Sequence, residues 1–202
     1  MAFKPVYRVG GGLYINLTNA CTCECVFCLR SLKSDPFGNE LWLSREPDAH
    51  EVMAALRGHN AGECGEIVYC GYGEPTLRLQ TLLDTAAAIR REYPRVPLRL
   101  NTNGHGSLAA GEDITPRLRG LLNIVSVSLN AHDAQTYAAV CKPGGGAAAY
   151  GAMLDFARKA KGQGLDVRLS IVRGRADEDK CRAVAEAMGL PLRVRDYLPR
   201  NR

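Results

Sequence analysis

Four thiols fall within eight residues in Cys21-Thr22-Cys23-Glu24-Cys25-Val26-Phe27-Cys28, directly after the alternating apolar segment Leu13-Tyr14-Ile15-Asn16-Leu17-Thr18. Taken as Cys21, Cys25 and Cys28, the spacing is C-x3-C-x-Phe-C. Three thiolates on a short loop can hold three irons of a cubic [4Fe–4S] cluster, whereas a fourth protein ligand normally closes it. A cluster one ligand short keeps an open iron, and an open metal position implies chemistry rather than scaffolding. The alternative is a tetrahedral zinc site formed by Cys21, Cys23, Cys25 and Cys28 together. Such sites are usually assembled from two separated cysteine pairs, because four thiolates on one short loop do not easily reach four corners. The spacing therefore favours three ligands, with Cys23 a bystander or a backup ligand.

A C-x3-C-x-aromatic-C motif after a first strand resembles the signature of the radical S-adenosylmethionine (SAM) enzymes. The resemblance implies that SAM chelates the open iron through its amino and carboxylate groups. An electron from the reduced cluster then breaks the S–C5′ bond, giving methionine and a 5′-deoxyadenosyl radical that abstracts hydrogen. A second stretch, Gly71-Tyr72-Gly73-Glu74-Pro75, supports it. Glycine lets backbone approach a ligand closely, Glu74 offers a negative charge to an ammonium group, and Pro75 suits the first position of a helix. This stretch resembles the family's Gly-Gly-Glu-Pro element, which implies that Tyr72, Gly73 and Glu74 border the amino group of SAM, with Tyr72 standing where the family has its first glycine. The Gly-x-Gly-x-x-Gly dinucleotide fingerprint is not met, because Thr76 occupies the third glycine position. By the same resemblance Phe27 packs near the adenine, and Ser128 and Asn130 reach the ribose or the methionyl carboxylate. Arg168 is a carboxylate partner, since guanidinium pairs well with that group, and Asn103 serves cofactor or substrate.

The longer strings YINLTNACTCECVFCLR, CGYGEPTLRL, LNTNGHG and SVSLNAHDAQTY are similar to the small TatD-associated radical SAM proteins. That likeness implies a functional link to a TatD-type nuclease and leaves the substrate open between a nucleotide or nucleoside and a protein. It also implies a reductant such as flavodoxin or ferredoxin. A glycyl-radical-type activase and a non-catalytic iron–sulfur or zinc redox protein are the alternatives.

The elements that must position these residues alternate along the chain. Strands are expected at 6–9, 13–18, 66–71, 98–103, 124–130, 165–172 and 190–197. Helices are expected at 48–57, 77–92, 113–122, 133–140, 147–161 and 177–188. An irregular stretch over 31–44 turns at Asp35-Pro36-Phe37-Gly38 and is anchored by Trp42. Residues 1–12 supply a short edge strand and turn, and 19–30 the cluster loop. From Leu13 onward this gives six strands with a helical connection between each pair, which argues for a parallel sheet covered by helices. Six units fall short of the eight, and about 250 residues, of a closed barrel. The expected fold is α/β, a partial (β/α)6 open TIM-like barrel of the radical SAM core type, over a single domain 1–202. Several strands alternate instead of reading as continuous apolar runs. Period-2 parity puts Asn16, Thr18, Asn101, Asn103, Ser126, Ser128, Asn130, Arg168, Ser170, Arg193 and Arg195 on one face. A polar face inside a helix-covered sheet predicts a wet lumen, with ligands at the C-terminal ends of the strands.

Hydrophobic residues at 46%, charged residues at 23% and a net charge of +5 are ordinary for a globular protein and permit an anionic partner without requiring one. No apolar run approaches the roughly 20 residues of a membrane span, and residues 1–9 hold no apolar core of signal-peptide length, so a cytoplasmic location is expected. Cys64, Cys70, Cys141 and Cys181 form no second C-x2-C pair. Cys141 follows the short helix after the fourth of the six strands, which makes it a candidate hydrogen-atom donor to a substrate radical, with a buried structural thiol as the default.

Overall fold

The structure is a computed structural model that describes residues 3–31, 41–146 and 148–196. The turn expected at Asp35-Pro36, the helix start at Ala147, the strand end at Tyr197, and Arg200 and Arg202 lie outside the described residues. Seven strands form one sheet in chain order: β1 (Val6–Val9), β2 (Gly12–Ile15), β3 (Glu66–Tyr69), β4 (Leu98–Thr102), β5 (Ile124–Ser128), β6 (Asp166–Val172) and β7 (Leu192–Arg195). β1 and β2 are an antiparallel hairpin, and β2 to β7 are parallel. Parallel neighbours require long crossovers, which the helices supply. β1 and β7 remain as edges, so the barrel is open.

The helices are α1 (Ala49–Gly58), α2 (Leu79–Glu92), α3 (Gly106–Ala110), α4 (Thr115–Leu118), α5 (Ala134–Cys141), α6 (Ala148–Gly162) and α7 (Glu178–Ala187). Their starts are written locally. Asp48 and Glu51 form a capping box on α1, and Asp133 and Asp177 accept backbone N–H bonds at the starts of α5 and α7. One expectation fails here: 113–122 is not one helix. α3 precedes it, and only a single turn, α4, forms within it. Pro116 lies in its first turn, and Gly111 and Gly120, at φ +70° and +75°, interrupt the chain on either side.

Parity along the strands sorts the two faces as expected. Leu13, Ile15, Leu98, Leu100, Val125, Val127, Leu169 and Ile171 are fully buried against the helices, each such side chain contributing about 1.5–3 kcal/mol. The opposite face is polar and still enclosed: Asn16, Thr18, Ser126, Asn130 and Ser170 are all buried. At its lower end Arg99 pairs with Glu66 through two bonds of 3.0 and 2.6 Å, and Arg168 pairs with Asp166 on its own strand. Near the β1–β2 edge, Tyr7, Leu41 and Tyr72 make a second apolar cluster, with Tyr14 and Trp42 against it.

Candidate functional site

The cluster loop leaves β2 at the C-terminal end of the parallel strands and is moored at many points by groups other than thiols. Asn19 Nδ2 donates to Leu43 O at 2.8 Å, and Leu43 N donates to Asn19 Oδ1 at 3.1 Å. Glu74 N donates to Ala20 O at 2.8 Å. Asn103 Nδ2 donates to Thr22 Oγ1 at 2.8 Å, and Thr22 Oγ1 is also hydrogen bonded to His105 Nδ1 at 3.1 Å. Gly144 N bonds Thr22 O, Glu24 N bonds Cys141 O, and Val26 N bonds Val140 O. Residues from the ends of β3, β4 and α5 thus fix where Cys21, Cys25 and Cys28 stand.

The Gly71–Pro75 stretch is a packing device in this fold. A Cβ at Gly73 would lie 2.3 Å from Thr18 O and 2.4 Å from Ala20 O, and one at Gly71 would lie 2.0 Å from Asn16 Oδ1. Only glycine lets the two rims touch. Glu74 is 3% exposed, and its carboxylate accepts four hydrogen bonds: from Thr76 N and Oγ1, from Thr102 Oγ1, and from Asn103 N. Burial pushes its pKa up, and the four donors oppose that shift. Three of the four bonds fall on Oε1 and one on Oε2, so Glu74 ties the ends of β3 and β4 together while Oε2, in a carboxylate with about four acceptor sites, can still accept another donor. Glu74→Gln turns an amide N–H₂ toward N–H and O–H donors and leaves at least one unmatched. A loss of about 1–3 kcal/mol is expected, read as a fall of several degrees in Tm by calorimetry.

The thiols divide into two kinds. Cys21, Cys25 and Cys28 are half-buried, whereas Cys23 is 4% exposed and turned into the core. Cys23 Sγ lies 3.7 Å from His105 Nδ1 and 3.6 Å from Asn103 Nδ2, which is also 3.8 Å from Cys21 Sγ. Its contact with the Cys21 thiol lowers its pKa, but the thiol of Cys25 and burial together outweigh that and push it up to about 12. Burial also raises the Cys28 thiol. Among the described residues no three His, Cys, Asp or Glu side chains converge on one metal ion.

His105, 2% exposed, is the keystone that sequence reasoning missed. Its Nε2 is hydrogen bonded to Tyr137 of α5 at 3.0 Å, so one imidazole links the loop, the end of β4 and α5. The only signal available was its place in the string LNTNGHG. Burial lowers its pKa, so the folded protein holds it neutral. Below about pH 6.5, the free histidine value, the unfolded chain takes up a proton that the folded chain refuses. Stability conferred by neutral His105 is therefore complete above that pH and is lost as pH falls toward the depressed folded value. Urea midpoints from pH 8 to pH 5 should show a steeper decline for wild type than for His105→Gln.

A sequence profile of the radical SAM superfamily matches residues 15–186, most of the chain and both rims of this site. The chain belongs to the radical SAM superfamily. The GTP 3′,8-cyclase of Paenarthrobacter nicotinovorans is 29% identical over 127 residues, which is 61% of this chain and 32% of that protein. The chain thus spans about a third of the length of this curated relative. Among solved structures, a radical SAM methyltransferase from Sphaerobacter thermophilus superposes with a TM-score of 0.57 at 18% identity, covering 92% of this chain and 66% of the other. Streptococcus suis SuiB bound to S-adenosylmethionine gives 0.67 at 14% identity, covering 94% and 39%. At such identities the likeness concerns the fold.

Superfamily membership implies a [4Fe–4S] cluster and SAM, and the residues present fit both. Three half-buried thiols stand on one loop, with the fourth, Cys23, buried beside Cys21 and Cys25. Asn130, buried at the end of β5 with φ +53°, has an Oδ1 atom with no hydrogen-bond partner among the described residues, an acceptor open to a hydroxyl or ammonium donor. Ser128, two residues earlier, is half-buried beside Ser170. Phe27 is half-buried on the loop itself. Three other candidates are engaged within the protein. Tyr72 is 8% exposed and packs edge-on against Trp42 at 5.1 Å, which makes it part of the second apolar cluster. Arg168 lies in the first half of β6, already paired with Asp166. Cys141 is 1% exposed, with its carbonyl bonded to the cluster loop and its thiol beside Cys25, so the thiol is enclosed, which is the default expected of it. Among the described residues no helix is long and apolar enough to cross a membrane.

Proposed function

We propose that this chain is a radical SAM enzyme that holds a [4Fe–4S] cluster through Cys21, Cys25 and Cys28 and abstracts hydrogen from a nucleotide or nucleoside. The observation that carries this is the partition of the thiols: three half-buried on the rim loop, and Cys23 engaged with Asn103 and His105 in the core. When bound, cluster and SAM together supply a one-electron cleavage that yields methionine and a 5′-deoxyadenosyl radical. The chain's own residues do the positioning. Asn103 donates toward the sulfur of Cys21 while its N–H is held by Glu74, which fixes loop and rim relative to each other. Such contacts at ligand sulfurs tune reduction potential. Asn130 Oδ1 and Ser128 offer polar contacts for the ribose, and the glycines at 71 and 73 keep backbone close to the loop.

The likeness to a GTP 3′,8-cyclase supports a nucleotide over a protein as the substrate. Electrons would come from a low-potential carrier such as flavodoxin or ferredoxin, and a TatD-type nuclease is the proposed functional neighbour. The test is anaerobic reconstitution with iron and sulfide. About one [4Fe–4S] per chain, an electron paramagnetic resonance signal that changes on adding SAM, and 5′-deoxyadenosine after dithionite reduction are expected. Stoichiometric zinc with no response to SAM would overturn the proposal.

A further inference from the structure

Four arginines sit at lumen-facing positions of the sheet: Arg99 in β4, Arg168 in β6, and Arg193 and Arg195 in β7. Two are neutralised where they stand. Arg99 bonds both oxygens of Glu66 and, at 2.8 Å, Asn101 Oδ1, and Arg168 pairs with Asp166. Arg193 and Arg195 have no ion pair among the described residues. The adjacent acid, Asp196, bonds Arg173 Nε at 3.0 Å instead. The lumen therefore carries two cations without counter-charges, both on β7.

Their placement is specific. Arg193 is level with Ser170 and Arg195 with Val172, at the C-terminal end of β6 where the cluster loop also opens. Arg193 is exposed at the open edge, whereas Arg195 is half-buried, and its Nε is buried with no hydrogen-bond partner among the described residues. A buried N–H left unmatched costs about 1–3 kcal/mol, and a desolvated cation without a partner costs more. A guanidinium fork matches phosphate or carboxylate oxygens in pairs.

We infer that Arg193 and Arg195 form an oxyanion site for the substrate, occupied in the nucleotide reading by phosphate, with Arg195 as the half-buried anchor and Arg193 as the guide at the open edge. The inference rests on the proposed function and gives its substrate a chemical class. Two adjacent cations at an unpaired sheet edge suit an extended, multiply charged group better than a single carboxylate.

The test is calorimetric titration of the reconstituted protein with inorganic triphosphate and, separately, with SAM. Wild type should bind triphosphate saturably. Arg195→Gln and Arg193→Gln should each weaken it at least about tenfold, and Arg195→Lys should lose part of the affinity, because an ammonium keeps the charge and lacks the fork. Arg158→Gln, on the exposed side of α6, should change nothing, and SAM affinity should stay within about twofold throughout. Three results would overturn the site: no saturable binding by wild type, equal weakening by Arg158→Gln, or loss of SAM affinity with triphosphate binding intact, which assigns Arg195 to the SAM carboxylate. If Arg195→Gln fails to fold by circular dichroism, the exposed Arg193→Gln decides the matter. No reductant is needed, so failure of SAM cleavage would strike the radical reading and leave this titration standing.

Discussion

Cys25→Ala protein will fold, will bind no intact [4Fe–4S] cluster after reconstitution, and will make 5′-deoxyadenosine only at assay background. Cys23→Ala protein, one thiol away on each side from a ligand, will keep its iron and its turnover to within a few-fold. The contrast follows from how the loop is held. Cys25 is half-buried, and its neighbours are moored through backbone, by Glu24 N to Cys141 O and by Val26 N to Val140 O. Removing its sulfur takes away one of three iron ligands without untying the chain. Cys23 fills a small space against His105 and Asn103, where a loss of about 1 kcal/mol is expected from the missing sulfur. Iron and sulfide analysis alongside product detection checks both variants. If Cys23→Ala loses its iron as completely as Cys25→Ala does, the site uses four thiols and the proposed open iron is absent.

Gly73→Ala should be strongly destabilising. Its Cβ would stand 2.3 Å from Thr18 O and 2.4 Å from Ala20 O, both backbone atoms that no rotamer change can move aside. The loop entry must withdraw by roughly an ångström, and the adjacent Glu74 N to Ala20 O bond goes with it. Overpacking of this kind costs about 1–3 kcal/mol, and the broken bond adds about 1 kcal/mol. A Tm lowered by several degrees is expected, together with weaker SAM binding by calorimetry because the two rims no longer meet. Gly151→Ala in α6 is the control. A Cβ there meets nothing within 4 Å, and the same change should be neutral or stabilising by up to about 1 kcal/mol. Equal Tm values for the two variants would mean that the close approach at Gly73 has no energetic weight.

What the amino-acid order determined by itself is local or periodic. The cysteine spacing is read within eight residues. The alternation of strand and helix needs only hydrophobic period and caps such as Asp48, Asp133 and Asp177. The polar lumen follows from parity, because successive side chains on a strand must point to opposite faces. What the tertiary structure alone decided is where long-range contacts send groups of the same chemical type. Cys21 and Cys23 are both thiols on one loop, yet His105 and Asn103, 82 and 80 positions away, hold Cys23 in the core. Glu74 looks free in the chain. It is held in place only because Thr102 and Asn103 arrive from the next strand, 28 and 29 residues on. Arg168 and Arg195 are equally cationic and equally lumen-facing by parity. Asp166 neutralises the first, Asp196 turns away from the second, and that difference depends on which side chains the folded sheet brings within reach.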